Sequence, residues 1–160
     1  MRRHALTKVL PYAPDQLFQL VGDVDRYPEF VPWLTTMRTW NAHEIEPGVN
    51  CLDAEAGVGF SFLRETFATR VIRDANARHV GVNLIHGPFR ALKNDWFFRP
   101  HPAESGGQAA EIDFSITFEF KSRLLDGFLA ANMDRAIEKL IGCFEARARA
   151  LYGAQAVQQV

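Results

Sequence analysis

Between residues 111 and 121 apolar and polar positions alternate: Ile112, Phe114, Ile116, Phe118 and Phe120 interleave with Asp113, Ser115, Thr117, Glu119 and Lys121. Strand side chains point to opposite faces in turn, so a period of two predicts a strand with one buried face and one wet face. The period then changes. Leu125, Phe128, Leu129, Met133, Ala136, Ile137, Leu140, Ile141 and Phe144 recur at three- and four-residue steps, the spacing of a helix face. Ser122 suits the N-cap, Gly153 the stop, and Arg147 and Arg149 the negative end of the helix dipole. This predicts one helix of about 28 residues, about 42 Å long at the usual helical rise.

The upstream pattern is more broken. Residues 5–10 read as a strand. Pro14 fits a first helical position and Asp15 the positive end of a dipole, and Leu17, Phe18, Val21 and Val24 share a helical face that breaks near Gly22 and Asp23. Pro28 and Pro32 limit residues 25–33 to a helix of at most about two turns. Strands are predicted at 38–44 and 49–58, around a turn at Glu46, Pro47 and Gly48. Further strands are predicted at 62–73, after a break at Gly57, Val58 and Gly59, at 79–85, and at 92–98, where Pro100 and Pro102 end the run. Residues 104–108 read as a flexible hairpin loop. Strands and helices are segregated along the chain, so the class is α+β. The prediction is one domain over residues 1–153 and a frayed tail over 154–160.

Thirteen phenylalanines among 160 residues are a heavy apolar load. A twisted sheet cannot follow a straight helix along its whole length. Where the two diverge, inward Phe, Ile, Leu and Met either fill the space or line a dry cavity open to an apolar guest. The pattern alone leaves both open. A net charge of -1 excludes a strongly basic nucleic-acid binder by bulk charge. Cys51 and Cys143 have no metal-ligand spacing and read as reduced thiols, and His4, His43, His79, His86 and His101 show no paired spacing, so no metal is expected. No nucleotide or nucleophile motif occurs. No apolar run follows Met1-Arg2-Arg3-His4 and none approaches about 18 residues, so neither a signal peptide nor a membrane span is expected.

Five stretches together resemble the coenzyme Q-binding protein family of the START-like, or polyketide cyclase/dehydrase, superfamily. They are YPEFVPW at 27–33, VGFSFLRETFATRV at 58–71, GPFRALKNDWFFRP at 87–100, DFSITFEFKSRLL at 113–125 and FEARARALYG at 144–153. The resemblance implies a helix-grip fold, with a curved antiparallel sheet of six or seven strands around the long C-terminal helix and one or two short helices after the first strand. It also implies an apolar tunnel for ubiquinone or a similar prenylated or lipid-like molecule, chaperoned without catalysis in support of respiratory electron transport. Ubiquinone would be a bound ligand, not a redox cofactor. Bacterial relatives carry a second description, as toxin-like inhibitors of ribosomal subunit association. An aromatase/cyclase-type enzyme is a third reading, which a polar pocket containing His86 or Arg64 would support.

By this resemblance, Phe30 and Trp33 belong to a cap of Tyr27, Pro28, Val31 and Pro32 over one tunnel end. Phe89 lies in an entrance loop with Gly87 and Pro88, flanked by Arg90 and Lys93. Phe62 joins the lining, Trp96 and Phe98 share one strand face and either line the tunnel or pack on the helix, and Phe114, Ile116 and Phe118 face Phe128, Leu129 and Met133 across the gap. An arginine in an apolar strand can orient a quinone carbonyl, which makes Arg64 the candidate head contact; the alternative is that Arg64, Glu65 and Arg70 point to solvent and pair across strands. For the ribosome reading, Arg90, Lys93 and Arg99, with Arg147 and Arg149, are the candidate basic surface. The expected setting is a cytoplasmic monomer in transient contact with the inner face of a membrane.

Overall fold

The computed structural model describes residues 2–60, 63–102 and 107–153. Phe62, the 154–160 tail and most of the 104–108 loop lie outside them. Seven antiparallel strands form one sheet: β1 (Arg2–Leu10), β2 (Leu34–Glu46), β3 (Val49–Phe60), β4 (Leu63–Asp74), β5 (His79–His86), β6 (Phe89–His101) and β7 (Ala109–Phe120), in the order β1-β7-β6-β5-β4-β3-β2. The meander from β2 to β7 brings the last strand beside the first. Between β1 and β2 lie α1 (Pro14–Gly22) and a 3₁₀ turn, Val24–Glu29. The C-terminal helices α2 (Arg123–Ala130) and α3 (Met133–Tyr152) complete a curved-sheet α+β fold of the START-like helix-grip type.

Local chemistry accounts for most of these boundaries. Pro14 opens α1, and the Gln16 side chain accepts the Ala13 N–H at 3.0 Å, closing half of a capping box. Ser122 caps α2 by accepting the Leu125 N–H at 3.2 Å. Gly153 ends α3 at φ 77°, a conformation that costs glycine little.

Three expectations are corrected. The single long helix is two helices broken at Ala131 and Asn132. The Asn132 side chain donates to the Phe128 carbonyl at 2.9 Å while its backbone N–H reaches Leu129, so this asparagine competes with the regular helical ladder. The break expected at Gly57 to Gly59 is absent, because β3 runs through it. There a Cβ on Gly57 would collide with the Thr36 hydroxyl of the neighbouring strand, so close approach, not a turn, accounts for that glycine. Pro100 does not end β6, where it pairs with Ala110 of β7. The β5 pairing stops at Phe97, so Pro100 meets no strand on that side and its missing N–H breaks no ladder.

Candidate functional site

The sheet's concave face carries alternate residues of each strand: Leu52 and Ala54 of β3, Val71 of β4, Val80 and Val82 of β5, Leu92, Asn94, Trp96 and Phe98 of β6, and Ile112 to Phe120 of β7. Burial along this face is uneven. Around the C-terminal half of α3 the packing is solid. Ile137, Ile141, Phe144 and Ala148 form its buried stripe, and Phe144 meets Trp96, Tyr27 and Phe30 at ring separations of 5.0, 5.2 and 5.1 Å. Trp96 stacks on to Phe98 and packs edge-on against Phe114, and these three are 3%, 1% and 2% exposed. Arg147 lies 5.2 Å over the Phe30 ring. Tyr27 donates its hydroxyl to the Val21 carbonyl, and burial, with a smaller contribution from the Asp23 carboxylate, pushes its phenol above the ordinary range.

Further along the same face the packing opens. Val82, Leu84, Leu92, Asn94 and Ile116 face inward yet keep part of their surface accessible, as does Met133 at the start of α3. Beyond this aliphatic waist lies a second aromatic group. Phe67 meets Phe89 at 5.3 Å, Phe89 meets Phe120 at 4.5 Å, Phe120 meets Phe118 at 5.6 Å, and His4 stacks on Phe118 at 6.1 Å. The concave face thus carries a partly accessible aliphatic waist, the candidate gap, between a packed aromatic end and a second aromatic group, the rim, in which Phe118 and Phe120 are themselves buried.

Helix α2 sits beside the end of β7 and the start of β1 without burying a single residue. Leu124 is 86% exposed and Phe128 44% exposed, while Leu125 and Leu129 are half-buried on the inner side. Its anchor is polar. The Asp126 carboxylate accepts the Phe120 N–H at 3.2 Å and pairs with Arg2 at 3.0 Å. That backbone N–H, and then Arg2, hold the Asp126 carboxyl below its ordinary range against the opposing effect of burial. A His4–Asp134 contact at 3.0 Å and a Lys8–Glu145 ion pair tie the concave side of β1 to α3. Because the folded carboxyl is depressed, the Asp126 contribution is complete above the ordinary aspartate value of about 3.9 and is lost as pH falls through the lower folded value. Asp126→Ala is therefore expected to raise hydrogen exchange several-fold in α2 amides at neutral pH and to leave α3 amides unchanged, and wild-type α2 is expected to loosen only below about pH 4.

The sequence-stretch candidates divide accordingly. Phe30, Trp96, Phe98 and Phe114 lie in the packed end. Ile116 and Met133 lie in the waist, Phe89 and Phe118 in the rim, and Leu129 and Phe128 on α2. Trp33 is half-buried, with its carbonyl accepting the Gly59 N–H. Arg64 follows the solvent-facing alternative: it is exposed and shares the face of β4 that carries Arg70, opposite Val71, so it points away from the interior. Phe67, Phe120, Val82, Leu84, Leu92 and Asn94 complete the surroundings of the gap and were missed, although strand parity with Trp96 already put Leu92 and Asn94 on that face.

The convex face is polar. Arg70 donates to the buried Asp53 carboxylate at 3.0 Å, with Asn41 as a second donor, and His79 contacts Asp95 at 2.7 Å. A shallow groove of about 200 Å³ between β1 and β7 is lined there by Arg3, Ala5, Thr7, Phe97, Asp113 and Ser115. The expected basic surface is largely neutralised: Arg99 pairs with Glu111 and Asp113, Arg147 with Glu29, and Arg90 with Glu119. Among the described residues no cluster of three His, Cys, Asp or Glu could hold a metal ion, and no helix is long and apolar enough to cross a membrane.

Residues 10–145 match the family model described as polyketide cyclase / dehydrase and lipid transport. The ribosome association toxin RatA of Rickettsia prowazekii is 34% identical over 146 residues, which cover 89% of this chain and 93% of that protein. A mitochondrial coenzyme Q-binding protein, COQ10 homolog B of Xenopus laevis, is 28% identical over 151 residues, 94% of this chain and 59% of that protein. Among solved structures, an 18 kDa protein from Caulobacter crescentus superposes with a TM-score of 0.79 at 61% identity, covering 96% of this chain and all, 100%, of that one. A START superfamily protein from Mycobacterium smegmatis superposes with a TM-score of 0.74 at 16% identity, over 93% of this chain and 98% of that one, a likeness of fold alone. The chain belongs to the polyketide cyclase / dehydrase and lipid transport family.

Proposed function

We propose that this protein binds an apolar small molecule of the prenylated-quinone class, ubiquinone or a close analogue, in the gap on the concave face, and carries it without chemical change. The observations that support this most are inward-facing Val82, Leu84, Leu92 and Ile116 that remain partly accessible, and an apolar helix at the end of β7 that buries no residue. Each methylene that enters such a gap contributes about 0.8 kcal/mol, so a prenyl tail needs no charged anchor. The name of the coenzyme Q-binding relative agrees with this class. For a cyclase-type enzyme, neither expected polar residue favours the gap: Arg64 is on the convex face and His86 is exposed at the end of β5. Solvent extraction and native mass spectrometry of protein expressed in a quinone-producing host are expected to find a stoichiometric prenylquinone. Protein that is repeatedly ligand-free, with tryptophan emission unaffected by added quinone, would end this reading.

A second reading rests on a different observation. The relative named as a ribosome association toxin aligns over nearly its whole length and at higher identity than the coenzyme Q-binding one. On the convex face, exposed Arg3 of β1 and Lys93 of β6 both flank Thr117 of β7, a place for RNA phosphate contacts. Cosedimentation with ribosomal subunits that weakens by orders of magnitude between about 50 and 200 mM salt supports it, and no cosedimentation at the lower salt removes it.

A further inference from the structure

We infer that Asn94 is the head-group contact of the apolar gap, and that it selects guests carrying a carbonyl acceptor. The inference rests on the apolar-carrier reading and adds a specificity to it. Asn94 interrupts an otherwise apolar run of concave positions on β6, Leu92, Trp96 and Phe98. Its cross-strand neighbours are Ile116 on β7 and Val82 on β5, both half-buried members of the waist. A polar amide in an apolar wall is costly unless its hydrogen-bonding groups are used.

Half of them are used. The Asn94 Nδ2 donates to the Ser115 carbonyl at 2.8 Å, and the Trp96 indole Nε1–H donates to Asn94 Oδ1 at 2.8 Å. These two bonds fix the amide orientation, because a flipped amide would set donor against donor at Trp96. An asparagine side chain offers two N–H donors and two acceptor lone pairs, so one N–H and one lone pair remain for the gap. The ordered N–H suits the carbonyl of a quinone, and the remaining lone pair suits the hydroxyl of its reduced form. A hydrocarbon tail alone answers neither. Trp96 is locked in the packed end, so the contact is held rigidly at the boundary between solid core and waist.

The test compares two probes: decylubiquinone and n-decylbenzene, which has the same tail and no carbonyl. Tryptophan quenching or competitive displacement is measured for the wild type, Asn94→Asp and Asn94→Leu. Asn94→Asp keeps an acceptor for Trp96 but loses both N–H donors, including the one that Ser115 accepts, so the n-decylbenzene arm is what separates ligand contact from support of the fold. Both variants are expected to bind decylubiquinone about tenfold more weakly, the usual scale for one hydrogen bond, with n-decylbenzene affinity unchanged. Parallel losses for both probes, or no loss for either, would show Asn94 to be structural and overturn the inference while leaving the carrier reading intact. Wild-type protein that binds neither probe would overturn both.

Discussion

Replacing Phe144 with alanine is expected to lower the unfolding free energy by about 3–5 kcal/mol, the range for a fully buried aromatic truncated in a packed core. Phe144 is 4% exposed at the centre of the closed end, where α3, the 3₁₀ turn and β6 converge. Its ring contacts Tyr27, Phe30 and Trp96, each of which is held by something else: Tyr27 by the Val21 carbonyl, Phe30 by Arg147, Trp96 by Asn94. Neighbours pinned in this way cannot collapse into the vacated space, and a retained cavity puts the cost at the upper end of the range. Domains of this size are stable by about 5–15 kcal/mol, so one side chain accounts for a large part of the total. Urea titration would register the change as a lower midpoint at constant slope. A loss below about 1 kcal/mol would mean that the closed end is not solid.

What was legible in the sequence follows from how local the determining signal was. The strict alternation over 111–121 predicted β7 and its buried face, and Pro14 with Asp15 placed the start of α1, because each signal lies within one element. The errors arose where the deciding contact is distant or atomic. The three-four periodicity of apolar residues crosses Asn132 without interruption, so only the bond from its side chain to the Phe128 carbonyl reveals the break between α2 and α3. Gly57 and Gly59 resemble turn glycines until Thr36 of the neighbouring strand is seen above one of them. Arg64 reads either as an inward donor or as a solvent-facing charge, because its strand's parity is read only from pairing with β3. Likewise, aromatic composition announced a greasy interior but could not separate Phe114, which fills it, from Phe89, which rims it. That distinction depends on where α2 parts from the sheet.

Enlarging the waist residue Ile116 to phenylalanine is expected to weaken quinone binding by about 100-fold and to change stability by less than about 1 kcal/mol. The binding figure follows from displacing three or four methylenes of the guest at about 0.8 kcal/mol each, close to two decades of affinity. The small stability cost follows from the open space in front of a half-buried side chain, since a larger group moves into a gap without forcing its neighbours off their rotamers. Ile112, two pairs along the same face of β7 and 3% exposed, supplies the contrast. Ile112→Phe has no such space, and overpacking it is expected to cost about 1–3 kcal/mol while leaving the quinone affinity of the folded fraction unchanged. Paired urea and quinone titrations of the two variants would locate the gap along the strand. If Ile116→Phe destabilises as much as Ile112→Phe and still binds quinone, the waist is filled core and any guest must sit elsewhere.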